Sequence, residues 1–232
     1  MAGGLPPGVV DQSFDAKFLK GPVWRLDDPV QADQAVAAAR VFGVRLISAR
    51  LDPAQDLSAR GFRRIETLVT YEGPLDPTAQ TPPGIRAGRP EDAPACAEIA
   101  VRAFTLDRWH ADPRIPDPAA DAFKRAWVEN DVRGRADAVL IAEDAGGAVE
   151  GFLLVLERRD AAVIDLIAVD DRAQRRGVGR RLLTALSAAC ADRRRVGRAG
   201  TQETNHAACR LYESAGWRVV DRKVTWHWTP DD

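Results

Sequence analysis

The chain has 232 residues, 45% of them hydrophobic, with 33 basic and 34 acidic side chains and a formal net charge of −1. That length allows one large domain or two small ones, and that apolar fraction suffices for a packed core, which argues against disorder. The near-neutral balance gives no reason to expect nucleic acid or an anionic membrane as a partner. No apolar run reaches membrane-spanning length, and Met1-Ala-Gly-Gly-Leu-Pro-Pro lacks the basic and apolar regions of a secretion signal, so a cytoplasmic location is expected. Cys96, Cys190 and Cys209 stand apart among alanines and read as small residues of a reducing compartment. His110, His206 and His227 lack metal-ligand spacing, and no metal is expected.

In chain order, residues 1–72 form a first α/β lobe with a helix around Ala35, an apolar strand at Val44–Ile47 and a Gly61-Phe62 junction before another strand. The breaker-rich stretch 73–84 reads as a linker. Residues 85–232 form the main domain. A strand is predicted at Ile85–Ala87 and a helix over 91–103. Residues 105–117 are irregular. A helix follows over 118–133 with Asp117 as N-cap and Pro118 at its first position. Segments 138–144 and 149–159 read as a hairpin across Gly146-Gly147. Ala162–Val169 is a β-branched buried strand, and 178–194 an amphipathic helix. A strand near 198–203, a helix over 206–215 and strand matter at 217–228 complete an α/β order with a mixed sheet. Ala35–Tyr71 can be laid without gaps over Cys190–Trp226, which sets Gly61-Phe62-Arg63 on Gly216-Trp217-Arg218.

The most informative string is Gln174-Arg175-Arg176-Gly177-Val178-Gly179-Arg180, between the strand at 162–169 and the following helix. Its glycines allow a tight turn with no Cβ in the way of a ligand, and the amides of a helix start form a concave donor site for phosphate or pyrophosphate. Arg175, Arg176, Arg180 and Arg181 crowd the positive end of the helix dipole, a conflict that a bound polyanion would relieve. Lysine occurs only at 17, 20, 124 and 223, so 33 − 4 = 29 basic residues are arginine, and clustering by composition explains the same pattern.

This string resembles the acyl-CoA loop of the Gcn5-related N-acetyltransferase (GNAT) superfamily, Gln/Arg-x-x-Gly-x-Gly/Ala, with Gln174, Gly177 and Gly179 in the pattern positions. The resemblance implies that the loop amides hold the pyrophosphate of acetyl-CoA as cosubstrate. It also implies that the preceding strand, through Ile167 and Val169, meets the pantetheine arm. In Thr204-Asn-His-Ala-Ala-Cys-Arg-Leu-Tyr-Glu-Ser-Ala-Gly216, Asn205 is a helix N-cap and Tyr212 lies two turns on, on roughly the same face. The resemblance makes Tyr212 the general acid for the departing thiolate and Asn205 a pantetheine contact. The same pattern also describes a half-buried core tyrosine. Base candidates are Asp165, Glu203 and Glu129, each equally readable as a solvated or paired carboxylate. A backbone N–H such as that of Ile167 could stabilise the oxyanion. The first lobe then copies the second half of the fold without its loop and acid, Pro22 falling opposite Gly177 and Leu57 opposite Tyr212.

Phe104-Thr-Leu-Asp-Arg-Trp-His-Ala-Asp-Pro-Arg-Ile-Pro116, Ala126–Gly134 and Gly200–Asn205 are similar to the TDP-fucosamine acetyltransferase group, which acetylates a nucleotide-linked amino sugar. Asp107-Arg108-Trp109 departs from that group's Ser-Arg-Phe. Arg108 and Arg114 are candidates for the sugar-nucleotide diphosphate and Trp109 for stacking on the base or sugar. Trp127 reads as a core residue. The expected partner is a small-molecule amine, and a homodimer is compatible with it. The alternatives are transfer to a peptide N-terminus, a polyamine or a drug amine, and a non-catalytic acyl-CoA-binding module.

Overall fold

The computed structural model describes residues 4–230. The chain divides into two compact units: Met1–Leu68 with Leu106–Phe123 and Arg222–Asp232, and Val69–Thr105 with Lys124–Asp221. This division differs from the 1–72, 73–84 and 85–232 boundaries read from the sequence.

The first unit is built on β1 (Val9–Asp11), α1 (Ser13–Leu19), β2 (Val23–Leu26), α2 (Ala32–Phe42) and β3 (Leu46–Leu51). The start of β4 (Arg63–Pro74) and the end of β10 (Arg218–Trp228) complete it. β2 and β3 run parallel, from Val23↔Leu46 to Leu26↔Ala49, with α2 as the crossover. α2 buries Ala32, Ala35, Val36 and Ala39, a face of small side chains that lets the helix lie close to the strands. Trp24, Ile47, Leu51, Phe62 and Trp228 fill this core.

Two segments assigned by sequence to the main domain belong here for stated reasons. Val224–Trp228 pairs antiparallel with Leu51–Ile47 of β3. Trp109 stacks on Phe123 at 4.1 Å and 9°, edge-on to Phe18.

The second unit has strand order β4-β9-β8-β7-β6-β5. Its strands are β5 (Ile85–Ala87), β6 (Ala138–Glu143), β7 (Val149–Glu157), β8 (Ala162–Val169) and β9 (Val196–Gln202). Its helices are α3 (Ala93–Ala103), the end of α4 (Asp117–Asn130), α5 (Val178–Cys190) and α6 (His206–Ser214). A π-helical turn, Asp131–Arg135, continues α4. The predicted linker is structured at its start: Gly73 and Pro74 end β4, and Leu75 is buried with its N–H donating to Arg195 O. The expected strands 85–87 and 162–169 match β5 and β8, and the other boundaries of the main domain fall within a few residues. β1, α1 and β2 went unpredicted.

One irregularity changes which face of β8 each side chain takes. The β7–β8 register passes from Val155↔Ile164 to Leu154↔Leu166, so Asp165 is the extra residue of a bulge. A one-residue slip turns side chains to the opposite face. Ala162 and Ile164 accordingly pack with α5 and Tyr212, whereas Leu166 and Ala168 pack with α3. Ile167 and Val169 then join the α5 side.

Candidate active site

The loop from β8 to α5 is anchored at both ends. Asp170 accepts from Arg172 N at 3.0 Å and from Arg102 at 2.8 Å, and Ala173 and Val178 are buried. Between them Arg175 and Gly177 take positive φ, 58° and 77°. A Cβ on Gly177 would meet nothing within 4 Å, so the left-handed backbone is what asks for glycine there. Gly179 answers a different need: a Cβ would lie 3.1 Å from Leu211 Cδ2, so its smallness serves α5–α6 packing. No side chain caps α5. The amides of Val178, Gly179 and Arg180 occupy its first turn, where no intrahelical acceptor exists.

The arginines are mostly engaged otherwise. Arg176 pairs with Glu150 at 3.1 Å, Arg181 with Glu150 at 3.3 Å and Pro83 O at 3.0 Å, and Arg180 donates to Ser214 O at 2.9 Å. Their crowding at the helix start is thus relieved by the protein itself, and only Arg175 of this group has no hydrogen bond or ion pair among the described residues. Gln174 Nε2 donates to Asp171 at 2.9 Å.

Beside this loop, β8 pairs in parallel with β9 only at Ala162, Val163 and Ile164. Among the described residues its ladder from Leu166 to Val169 is with β7 alone. The backbone around Ile167 and Val169 therefore has an open flank facing the β9 side.

Asn205 caps α6, its Oδ1 accepting from Ala208 N at 3.2 Å, which leaves its amide N–H2 for another acceptor. Tyr212, 2% exposed, stacks on Trp217 at 5.4 Å and 17° and tilts against Tyr71 at 5.4 Å. Burial pushes its phenol pKa well up, so the O–H stays protonated and can only donate or accept. Tyr71, which sequence reasoning passed over, donates to Glu213 at 2.9 Å.

Asp165 is not a solvated carboxylate. Trp127 Nε1 and Arg135 Nη1 each donate to its Oδ2 at 2.8 Å. Arg135 also donates to Asp131, a fully buried carboxylate whose Oδ2 receives no donor. Burial, reinforced by Asp165 alongside, pushes the Asp131 pKa up to about 7 against the pull of Arg135. Burial also opposes charge on Asp165, but Asp131, Arg135 and Trp127 together hold its pKa below the usual carboxylate value. Asp131 is thus a functional candidate the sequence reading missed. The signal was present: Trp127, Asp131 and Arg135 recur every four residues and line one helical face. Glu203 is exposed just past β9, and Glu129 pairs with Arg133 at 3.1 Å.

The acceptor candidates lie in the first unit and are committed to it. Arg108 donates to Asp15 at 2.8 Å. Trp109 is fully buried against Phe123, with no face for a ligand. Arg114 grips Asp112 through two nitrogens, at 2.9 and 3.0 Å, and reaches Thr229 and His227 O. His227, fully buried, accompanies it through Asp112 at 2.8 Å, and burial lowers its pKa to about 4.

Comparison with known proteins agrees with this geometry. A model of the acetyltransferase (GNAT) family matches residues 96–217. The spore coat polysaccharide biosynthesis protein SpsD of Bacillus subtilis (strain 168) is 32% identical over 188 residues, 77% of this chain, and the chain spans 65% of that relative's length. A tandem GNAT protein from the clavulanic acid biosynthesis pathway superposes with a TM-score of 0.62 at 20% identity, over 90% of this chain and 75% of that one. A GCN5-related N-acetyltransferase from Kribbella flavida gives 0.63 at 15% identity, over 98% and 88%. The fold is the GNAT fold, with an N-terminal partial repeat of the kind a tandem protein carries. A left-handed glycine before an uncapped helix, an open β8 flank and a family match that spans both place this chain in the acetyltransferase (GNAT) family.

Proposed function

We propose that the chain transfers an acetyl group from acetyl-CoA directly to a primary amine, that of a nucleotide-linked amino sugar. The observation that carries this reading is the uncapped start of α5 after Gly177, beside the unpaired flank of β8. The amides of residues 174–180 would take the pyrophosphate, and the β8 backbone at Ile167 and Val169, with the Asn205 amide, the pantetheine arm. The amine nitrogen attacks the thioester carbonyl, the C–S bond breaks, and Tyr212 O–H protonates the leaving sulfur. The Asp131–Asp165 pair receives the proton lost by the amine. Since Asp131 holds a proton below about pH 7, kcat/KM rises with pH through that region. The polysaccharide role in the curated relative's name supports a sugar acceptor, and the absence, among the described residues, of any helix long and apolar enough to cross a membrane fits a cytoplasmic enzyme.

The burial of Tyr212 between two aromatic rings also favours a second reading, an acyl-CoA-binding module with a core tyrosine. Thiol release from acetyl-CoA in the presence of nucleotide amino sugars, simple amino sugars, polyamines and peptides tests both. Turnover with the nucleotide sugars is expected. Tight acetyl-CoA binding with no turnover on any amine would favour the module.

A further inference from the structure

The first unit carries an open cavity of about 740 Å³, within the range of small-molecule sites. Among the described residues five cations line it (Lys17, Lys20, Arg45, Arg63 and Arg114) and no carboxylate does. That is a departure for this chain, whose acids and bases are nearly equal in number. Elsewhere arginines meet carboxylates: Arg25 with Asp27, Arg60 with Asp33, Arg86 with Asp92 and Glu143. Here Lys17, Lys20 and Arg45 have no hydrogen bond or ion pair among the described residues, and the ammonium of Lys17 meets only the Phe14 ring, at 5.7 Å. Two of the chain's four lysines are among them.

The backbone gathers these cations. Lys20 ends α1 in the left-handed region, φ 54° and ψ 45°, where a side chain is disfavoured and glycine would be easier. Gly21 follows, and a Cβ there would lie 2.5 Å from Arg45 Cγ, so the missing side chain is what lets the Arg45 stem cross the turn. Arg45 N donates to Pro22 O at 2.8 Å, fixing that crossing. Arg114 is held rigid by Asp112. Phe18, Ile115, Pro116 and Pro230 supply apolar wall. Lys17, Lys20 and Arg45, like charges around one concavity, repel one another and concentrate a polyanion. The volume and the apolar wall exceed what inorganic phosphate needs and suit an anion joined to a flat or apolar body.

We infer that this cavity binds the diphosphate of a nucleoside diphosphate, with Lys17, Lys20 and Arg45 as the phosphate contacts and the apolar wall against the nucleoside. The inference stands on the cavity alone and survives failure of the acetyl-transfer reading. The ligand could be the nucleotide half of a sugar acceptor or a free nucleotide, since both offer the same diphosphate.

Calorimetric titration of the full chain at low salt tests it, with uridine and thymidine diphosphate against the corresponding nucleosides and inorganic pyrophosphate. The diphosphates are expected to bind at least about tenfold more tightly than the nucleosides or pyrophosphate. A Lys17→Gln/Lys20→Gln/Arg45→Gln variant should lose at least about tenfold of that affinity while its acetyl-CoA affinity stays unchanged. The single variants provide the same comparison should the triple variant fold poorly. A matching rise in KM for a nucleotide amino sugar, at constant kcat, assigns the cavity to the acceptor, and binding without that rise assigns it to a free nucleotide. No diphosphate binding overturns the inference. So does binding that survives the triple substitution, or binding that is lost in Gly177→Val and displaced by acetyl-CoA, which would place the nucleotide at the α5 loop instead.

Discussion

The two units each contain a parallel β-α-β crossover, and they differ at the same two points. In the first, β2 pairs with β3 along all four of its residues, and a 3-10 turn, Pro29–Gln31, capped by Asp28 through Val30 N at 3.0 Å, runs directly into α2, whereas the equivalent Asp170-capped turn, Asp171–Ala173, is separated from α5 by residues 174–177. In the second, β8 pairs with β9 over three of its eight residues, and α5 begins at Gly177 with no side-chain cap. The first crossover satisfies its own amides, and the second leaves amides and strand edge open together. Leu57, which the sequence offset sets against Tyr212, is buried in the first core. On the proposed reading, one repeat of the fold is a scaffold because its helix start is filled, and the other a site because its helix start is not.

That contrast can be broken by substitution. The largest effect is expected from Tyr212→Phe, which removes the proposed acid and leaves the second unit, like the first, without a hydroxyl there. It should lower kcat by about 10²-fold or more and leave acetyl-CoA affinity within about twofold, read by steady-state kinetics and calorimetry. Unchanged turnover would return Tyr212 to the core. Gly177→Asp places a carboxylate directly before α5. It combines a left-handed strain of about 1–2 kcal/mol with an anion where the pyrophosphate should sit, and acetyl-CoA affinity should fall about a hundredfold.

Asp131→Asn tests the carboxylate pair. kcat/KM should fall about tenfold and lose its ionisation near pH 7, and Asp131→Glu should restore part of the profile. The folded pKa of Asp131 is raised, so between about pH 4 and 7 the folded chain binds more protons than the unfolded one, and stability falls as pH rises through that window. Thermal melts of Asp131→Asn should lack that component. The smallest effect is Asp28→Ala, which opens the first unit's turn. It should cost about 1 kcal/mol of stability in denaturant titration and leave acetyl-CoA binding unmoved.

Much of the second unit was legible because its signals are local. A β-branched run bounded by polar residues gave β8, and a strand–glycine–helix junction gave the loop. Asn205 and Gly216 marked the ends of α6, where the structure shows a cap and a left-handed φ of 78°. What escaped depends on distant partners. The arginines near Gly177 looked like anion ligands, but Glu150 and the Ser214 carbonyl hold three of them. Arg108, Trp109 and Arg114 looked free in a proline-rich loop, but Asp15, Phe123 and Asp112 engage them. The two glycines looked alike and are not: Gly177 answers a backbone angle, Gly179 a neighbouring leucine. The unit boundary was hidden because strand pairing, which no local pattern records, carries the end of β10 to β3.

The most direct test is calorimetric titration of acetyl-CoA into the full chain and into Gly177→Asp, with far-UV circular dichroism to show that both are folded. We predict one-to-one binding by the unaltered chain and about hundredfold weaker binding by the variant. Equal affinities in two folded proteins would contradict the claim that the open start of α5 holds the donor.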